Sequence, residues 1–331
     1  MRIFSGIQPT GRKHLGNFLG AIQQYAVGQD RGEAIYCIVD LHATTVAFEP
    51  EVLREHVLDT TAILLAAGVD PERCVLFRQS DVQEHSELCW LLSSVTAHGE
   101  LNRMTQFKEK SAAQRELVSA GLFLYPVLQA ADVLAYRAEE VPVGDDQRQH
   151  VELMRDIAGR FNARFGETLV VPEHKIPSVG ARIMDLQVPT QKMSTSTSSE
   201  DGVVRVLDEP VAIERKFKRA VTDSGSELRG GPGKEGIGNL IEILAATRGC
   251  TAGDVEREFA DLRYGDFKLV VSSAVVEHLR PVRERYAEIR PDQAALEATL
   301  AAGASRARAI ASVTLEAVRA AMGVGPAPGY R

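Results

Sequence analysis

The sequence predicts an α/β protein, in which an open parallel sheet flanked by helices is followed by a mainly helical second domain. Three observations carry this reading. Short apolar runs alternate with amphipathic stretches through the first 185 residues, the pattern of parallel strands joined by helical crossovers. Past about residue 200 the short runs stop and only helical periodicity remains. The chain has 331 residues, 44% hydrophobic and 25% charged, which is enough material for two medium domains and too apolar for a disordered chain.

Arg2 to Ile7 is a short apolar run closed by the Pro9-Thr10-Gly11 breaker, so it reads as a buried strand and turn. Leu15 to Val27 is helical, with Leu19, Ile22 and Ala26 at helical spacing. Ala34 to Val39 is a buried strand, Glu51 to Ala67 a helix, Cys74 to Phe77 a strand and Ser86 to Val95 a helix. Leu122 to Tyr136 reads as helix once past Pro126, Glu140 to Val143 as a strand ending at Gly144, and Gln147 to Phe165 as a long amphipathic helix. Pro172, Pro177 and Pro189 punctuate a loop-rich stretch. Helices are then expected over Val211 to Ala220, Ile237 to Thr247, Ala252 to Phe259, Phe267 to Ile289 and the Ala-rich Gln293 to Met322. The expected division is a first domain over 1–185, a junction over 186–205 and a helical domain over 206–331, whose last helix could pack back on the first.

Several classes fall away on composition. No apolar run approaches the roughly 18 residues of a membrane helix, and MRIFSGIQ has no signal-peptide apolar region, so a cytoplasmic protein without membrane contact is expected. Cys37, Cys74, Cys89 and Cys250 are far apart and form no CxxC, which indicates neither a disulfide framework nor a zinc site. The net charge is −7, all of it within residues 1–185, where 18 Lys and Arg face 25 Asp and Glu; the remainder carries 20 of each. A generic polyanion binder would be basic overall. The GxGxxG match at Gly231 to Gly236 follows no strand and reads as a solvated loop.

Two segments carry chemistry. Pro9-Thr10-Gly11-Arg12-Lys13-His14-Leu15-Gly16-Asn17 joins the first strand to the first helix, the place where open parallel sheets bind ligands. The helix N-terminus offers free N–H groups and a positive dipole to phosphate oxygens. Gly16, without a side chain, leaves room for a flat ring, and His14 and Asn17 can donate hydrogen bonds to charged oxygens. Lys192-Met193-Ser194-Thr195-Ser196-Thr197-Ser198-Ser199 places a lysine, a point charge on a long stem, at the head of a polar loop. Each alone also fits a plainer structure, the first a capped turn and the second a Ser/Thr-rich linker.

Together, HxGN between strand and helix and KMSxS about 175 residues later resemble the HIGH and KMSKS signatures of class I aminoacyl-tRNA synthetases. FSGIQPTG at Phe4, GELNRMTQFKEK at Gly99, VPVGDDQRQH at Val141 and PTQKMS at Pro189 are similar to the bacterial type of tryptophanyl-tRNA synthetase, nearly end to end. The resemblance implies a Rossmann-like catalytic domain of the class I (HUP) type with a helical tRNA- and anticodon-binding domain. It further implies charging of tRNA(Trp) with L-tryptophan through an adenylate, use of ATP with Mg²⁺ held through its phosphates, and a homodimer. By the same resemblance His14, Asn17 and Lys192 are catalytic. Gln8, Pro9, Thr10, Gly16, Asn17, Gly144, Asp145, Asp146, Ile183, Lys192, Met193, Ser194, Thr195, Ser196 and Lys110 would bind ATP. Asp132 would accept the indole N–H, with Phe4, His42, Tyr125, Gln129, Val141, Val143 and Gln147 completing the amino-acid pocket. The residue chemistry agrees: indole nitrogen is donor-only and requires an acceptor, and Tyr125, Gln129 and Asp132 share one helix face.

Two positions depart from the pattern. Thr195 stands where the second signature lysine is expected, so Lys192, Lys110 and Mg²⁺ would carry more of the charge stabilisation. Gln129 makes Tyr-x-x-x-Gln-x-x-Asp, an arrangement that also suits a phenol, so a tyrosyl enzyme on the same fold stays open. So does a synthetase-like binding protein or nucleotidyltransferase that charges no tRNA. Two basic clusters in the second half, Arg215, Lys216, Lys218 and Arg219, and Arg280, Arg283, Arg285 and Arg290, are the candidate RNA-facing charges, though each also reads as a solvated helix face.

Overall fold

The computed structural model describes residues 1–108, 118–142, 144, 147–175, 182–194 and 199–326. Lys110, Val143, Asp145, Asp146, Thr195 and Ser196 lie outside the described residues.

Five strands, β1 (Arg2–Ile7), β2 (Glu33–Ile38), β3 (Val75–Arg78), β4 (Glu140–Pro142) and β5 (Glu173–Lys175), form one parallel sheet in the order β3-β2-β1-β4-β5. β2 is buried at five successive positions, which is why it reads as an uninterrupted apolar run: helices cover both faces of a parallel sheet. The order reverses at β1. The chain steps outward from β1 to β2 and β3, then returns to β4 on the other side, so a crevice opens beyond the carboxyl ends of β1 and β4. β5, the polar tripeptide Glu-His-Lys, has no periodicity to betray it in the sequence.

The first helical stretch is broken in its hydrogen-bonding pattern. A turn α1 (Leu15–Asn17) passes into a π-helical segment Phe18–Ile22 and then α2 (Gln23–Gly28). The wider π turn inserts an extra residue directly after the HxGN segment, a position where such bulges often accompany function. The chain continues through α3 (Asp40–Ala43), α4 (Pro50–Ala66), α5 (Glu84–Ser93), α6 (His98–Arg103), α7 (Ala120–Leu134) and α8 (Arg148–Phe165). α7 begins before Pro126, not after it. Ser119 caps it by accepting the Leu122 N–H at 3.1 Å, and nine of its side chains are buried, which compensates for the hydrogen bond that Pro126 cannot donate.

Beyond residue 200, α9 (Pro210–Arg219), α10 (Glu235–Arg248), α11 (Ala252–Glu258), α12 (Tyr264–Ile289) and α13 (Gln293–Met322) follow. One apolar core runs from Ile7, Leu15 and Ile22 of the sheet half to Phe217, Leu240, Phe267 and Val275 of these helices. α13 lies directly on β3. A Cβ added to Gly303 would sit 1.8 Å from the carbonyl oxygen of Leu76, so only glycine permits this approach of helix backbone to strand backbone.

Several residues of the basic clusters pair within the protein. Lys216 is buried at 1% exposure, with Nζ donating to Asp208 at 2.7 Å, to the Val203 carbonyl at 2.7 Å and to Glu200 at 3.2 Å. Arg215 and Arg219 pair with Asp201, Arg280 with Glu277 and Glu284, and Arg290 with Glu55 and Asp59 of α4. Lys216 and Arg290 therefore join parts of the fold and leave the candidate RNA-facing sets, whereas Arg215, Arg219 and Arg280 keep about half or more of their side chains exposed.

Candidate active site

The crevice at the strand-order reversal holds a cavity of about 330 Å³. β1 contributes Phe4, Ser5 and Gly6, β4 contributes Val141 and Pro142, and α7 contributes Gln129, Asp132 and Val133. Gln8, Val39, His42, Gln106 and Gln147 complete the wall. The structure thus brings Phe4, Gln8, His42, Gln129, Asp132, Val141 and Gln147 around one space. Tyr125 stands at its side: its ring meets His42 edge-on at 6.3 Å, and its hydroxyl lies 2.9 Å from His150 Nε2 and 3.4 Å from Gln106.

Asp132 is the electrostatic centre of this wall. It is 1% exposed and has three polar partners: His42 Nε2 on Oδ2 at 2.7 Å, and Gln79 Nε2 and His85 Nδ1 on Oδ1, both at 2.6 Å. Burial pushes the carboxyl up, but the pull of His42 and His85 outweighs it and holds the group well below the usual carboxylate range. Asp132 is therefore an ionised acceptor that is not saturated. Two lone-pair sites on each oxygen make four, and three are taken among the described residues. One acceptor position remains, on Oδ2. Gln79, His85 and Tyr136, whose hydroxyl lies 2.6 Å from His85 Nε2, were not foreseen from the sequence. Tyr136 follows Asp132 by four residues, so helical spacing alone could have placed it beneath the carboxylate; His85 and Gln79 come from separate elements and give no local signal.

The second group of site residues surrounds the start of α1. His14 caps this turn: its Nδ1 accepts the Asn17 N–H at 3.3 Å, while Asn17 Oδ1 accepts the His14 N–H at 3.1 Å. Burial first, then the positive charges of Lys192 and Lys13, push His14 down to about 4. The ring is neutral at pH 7, and because Nδ1 accepts, its hydrogen sits on Nε2, leaving that atom a donor. A Cβ on Gly16 would lie 3.1 Å from the His14 ring and 3.5 Å from Ile183, so Gly16 keeps the floor between them open. The Met193 N–H donates to the Ile183 carbonyl at 3.0 Å, and Met184 and Lys192 form an antiparallel bridge, which carries the head of the KMSxS loop to this floor. Asn239 of α10 holds Met184 at both backbone atoms, donating to its carbonyl and accepting its N–H, each at 2.9 Å. On the other side Lys13, 6% exposed, donates to the Gln8 carbonyl at 2.5 Å. Pro9 is buried, Thr10 exposed and within 3.4 Å of Gln8 Oε1, and Gly144 and Lys192 exposed. Gln8 thus borders both groups, the cavity at one face and the His14 floor at the other. Among the described residues no three His, Cys, Asp or Glu side chains converge as a metal cage.

A neutral imidazole donor, a helix start and a lysine-headed loop next to a pocket with one carboxylate acceptor suit the joining of a small acid to a nucleotide. Comparison with known proteins agrees. Residues 1–280 match the family model for class I tRNA synthetases (W and Y), and the chain belongs to this family. It is 46% identical over 323 residues to the tryptophan–tRNA ligase of Wolinella succinogenes, covering 98% of each chain. Its fold is similar to that of tryptophanyl-tRNA synthetase from Mycoplasma pneumoniae, with a TM-score of 0.92 at 35% identity over 98% of both chains. The Campylobacter jejuni synthetase, solved with ADP and tryptophan, aligns at a TM-score of 0.83 and 31% identity over 98% of this chain and 100% of that one.

Proposed function

We propose that the protein attaches L-tryptophan to tRNA(Trp) in two steps. The tryptophan carboxylate attacks the α-phosphorus of ATP in line, forming tryptophanyl-adenylate and releasing pyrophosphate; a terminal ribose hydroxyl of the tRNA then attacks the acyl carbon and releases AMP. The observation that carries this reading is Asp132, a buried, ionised acceptor with one position left, lining a cavity whose wall includes the apolar side chains of Phe4, Val39, Val133 and Val141 beside His42 and four glutamines. An indole supplies one N–H donor and an apolar body, which matches that demand. Gln129, in the same wall, would suit a phenol as well; near-full-length similarity to tryptophan enzymes favours indole over tyrosine.

Catalysis in this reading is positioning and charge stabilisation. The His14 Nε2–H and Asn17 donate to phosphate oxygens. Lys192 and Lys110 place positive charge near the departing pyrophosphate, and Thr195 offers a hydroxyl. Gln8, Pro9, Thr10, Gly16, Gly144, Asp145, Asp146, Ile183, Met193, Ser194 and Ser196 complete the nucleotide site. Mg²⁺ would be held through the ATP phosphates and would neutralise part of their charge. The helices beyond residue 206 are the tRNA-reading part. The chain would act as a homodimer in the cytoplasm, as its resemblance to the family implies; no helix among the described residues is long and apolar enough to cross a membrane.

Amino-acid-dependent ATP–pyrophosphate exchange tests the reading. Exchange is expected with tryptophan, and Asp132→Asn should lower kcat/KM for tryptophan by about two to four powers of ten. Exchange with tyrosine and none with tryptophan would overturn it.

A further inference from the structure

The hydrogen-bond directions around Asp132 can be followed one shell outward. Asp132 is ionised and can only accept, so His85 Nδ1, 2.6 Å from Oδ1, must carry a hydrogen. The other nitrogen of that ring faces the Tyr136 hydroxyl at 2.6 Å. Among the described residues this is the only hydrogen-bond partner of the phenol oxygen, and the phenol, pushed up by burial and by Asp132 and Glu84 nearby, keeps its hydrogen. In the neutral ring, whose one hydrogen stands on Nδ1, the phenol donates to the Nε2 lone pair. Tyr136 thus fixes the Nδ1–H tautomer of His85, and that tautomer fixes a donor on Asp132. Both side chains are fully buried, and Phe77 packs against both rings at 5.7–5.8 Å, so the chain has little freedom to rearrange. Gln79 is set the same way: its Oε1 accepts the Leu41 N–H at 3.0 Å, which turns its amide nitrogen to Oδ1.

We infer that His85, locked by Tyr136, is a positioning residue that fills Oδ1 of Asp132 and so confines substrate recognition to a single acceptor position on Oδ2. This rests on the reading of Asp132 as the acceptor of the indole N–H, and it adds where that specificity comes from. If the histidine tautomer slips, a nitrogen lone pair faces the carboxylate, and the carboxylate turns or takes up a proton. Neither His85 nor Tyr136 lines the cavity, so their effect reaches the substrate only through the geometry of Asp132.

The test compares L-tryptophan with L-3-benzothienylalanine, whose ring has sulfur in place of N–H, in ATP–pyrophosphate exchange by the full-length enzyme. The quantity measured is the ratio of kcat/KM for the two. Tyr136→Phe, nearly isosteric, should lower the ratio about three- to tenfold, through a higher KM for tryptophan with kcat little changed and the analogue unaffected. His85→Gln, whose amide reaches toward Tyr136 and withdraws the donor from Asp132, should lower it about tenfold or more. His85→Asn, whose amide nitrogen can stand where Nδ1 stood, should restore most of the ratio, and in that background Tyr136→Phe should cost nothing further. The inference is overturned if Tyr136→Phe leaves the ratio unchanged, or if both amino acids lose activity equally, as general loosening of the fold would produce. A wild-type ratio near one, or one insensitive to Asp132→Asn, would instead sink the reading of Asp132 itself.

Discussion

Replacing Lys13 by methionine separates the cost of a buried charge from the value of its hydrogen bond. Lys13 is 6% exposed, and its amine is pushed from 10.5 down to about 8, by burial first, with Asp59 opposing. Between pH 8 and 10.5 the unfolded chain binds this proton and the folded chain does not, so unfolding free energy rises with pH across that window. At about 1.4 kcal/mol per pH unit the gain is about 3 kcal/mol. Below pH 8 the cost is fully present. At pH 7, Lys13→Met removes that cost and also loses the charge-assisted bond to the Gln8 carbonyl, worth about 1.5–3 kcal/mol. The two nearly cancel, and the variant should be close to wild type in stability. At pH 10.5 the wild type has regained its loss and should exceed the variant by about 3 kcal/mol more than at pH 7. Guanidinium denaturation of both proteins at the two pH values measures this, with other titrating groups cancelling in the difference. A stability difference that stays constant from pH 7 to 10.5 would refute the argument.

His14 predicts the opposite flank of the pH range. Its folded value of about 4 lies below the ordinary 6.5, so its contribution to stability is complete above pH 6.5 and is lost as pH falls toward 4. The loss is about 3 kcal/mol; His14→Asn should lack this share of the acid sensitivity, and denaturation curves at pH 7 and 4 that shift equally in both proteins would show the attribution to be mistaken. At the far side of the sheet, Gly303→Ala must force α13 away from the Leu76 carbonyl and should destabilise the protein by about 3 kcal/mol. An unchanged denaturation midpoint would show that the helix can yield there without cost.

Legibility in the sequence followed the range of the forces involved. β1 and β2 were readable because burial on both faces demands apolar residues at consecutive positions; β5, three polar residues paired at the sheet edge, leaves no such trace. The break at Phe18–Ile22 was hidden because a π turn has no strong sequence preference, and the early start of α7 because Pro126 looks like a boundary until Ser119 and tertiary burial are taken into account. Asp132 could be singled out from its apolar neighbours and its spacing from Tyr125 and Gln129. Its bracing by His85 and Gln79 depends on which elements the sheet order brings together, which a one-dimensional pattern does not contain. Lys216 is an instructive case. A run of basic residues looks like a surface, yet Ile213, Lys216, Phe217 and Ala220 fall on one buried helical stripe, so periodicity outranks composition there.

The grip of Asn239 on Met184 makes the chain a linkage without slack. An asparagine that binds both backbone atoms of one residue resists sliding in either direction along the strand, as a pinned joint does. Met184 is in turn bridged to Lys192, and the HxGN segment is stitched to the same stem, with the Leu15 N–H on Val204 and the Val206 N–H on Lys13. α10 is therefore connected by backbone hydrogen bonds both to the lysine and, by way of the Leu186 N–H on the Gly202 carbonyl, to the histidine turn. The two signature segments thus rest on one hydrogen-bonded frame, and Asn239 fastens that frame to the helical half.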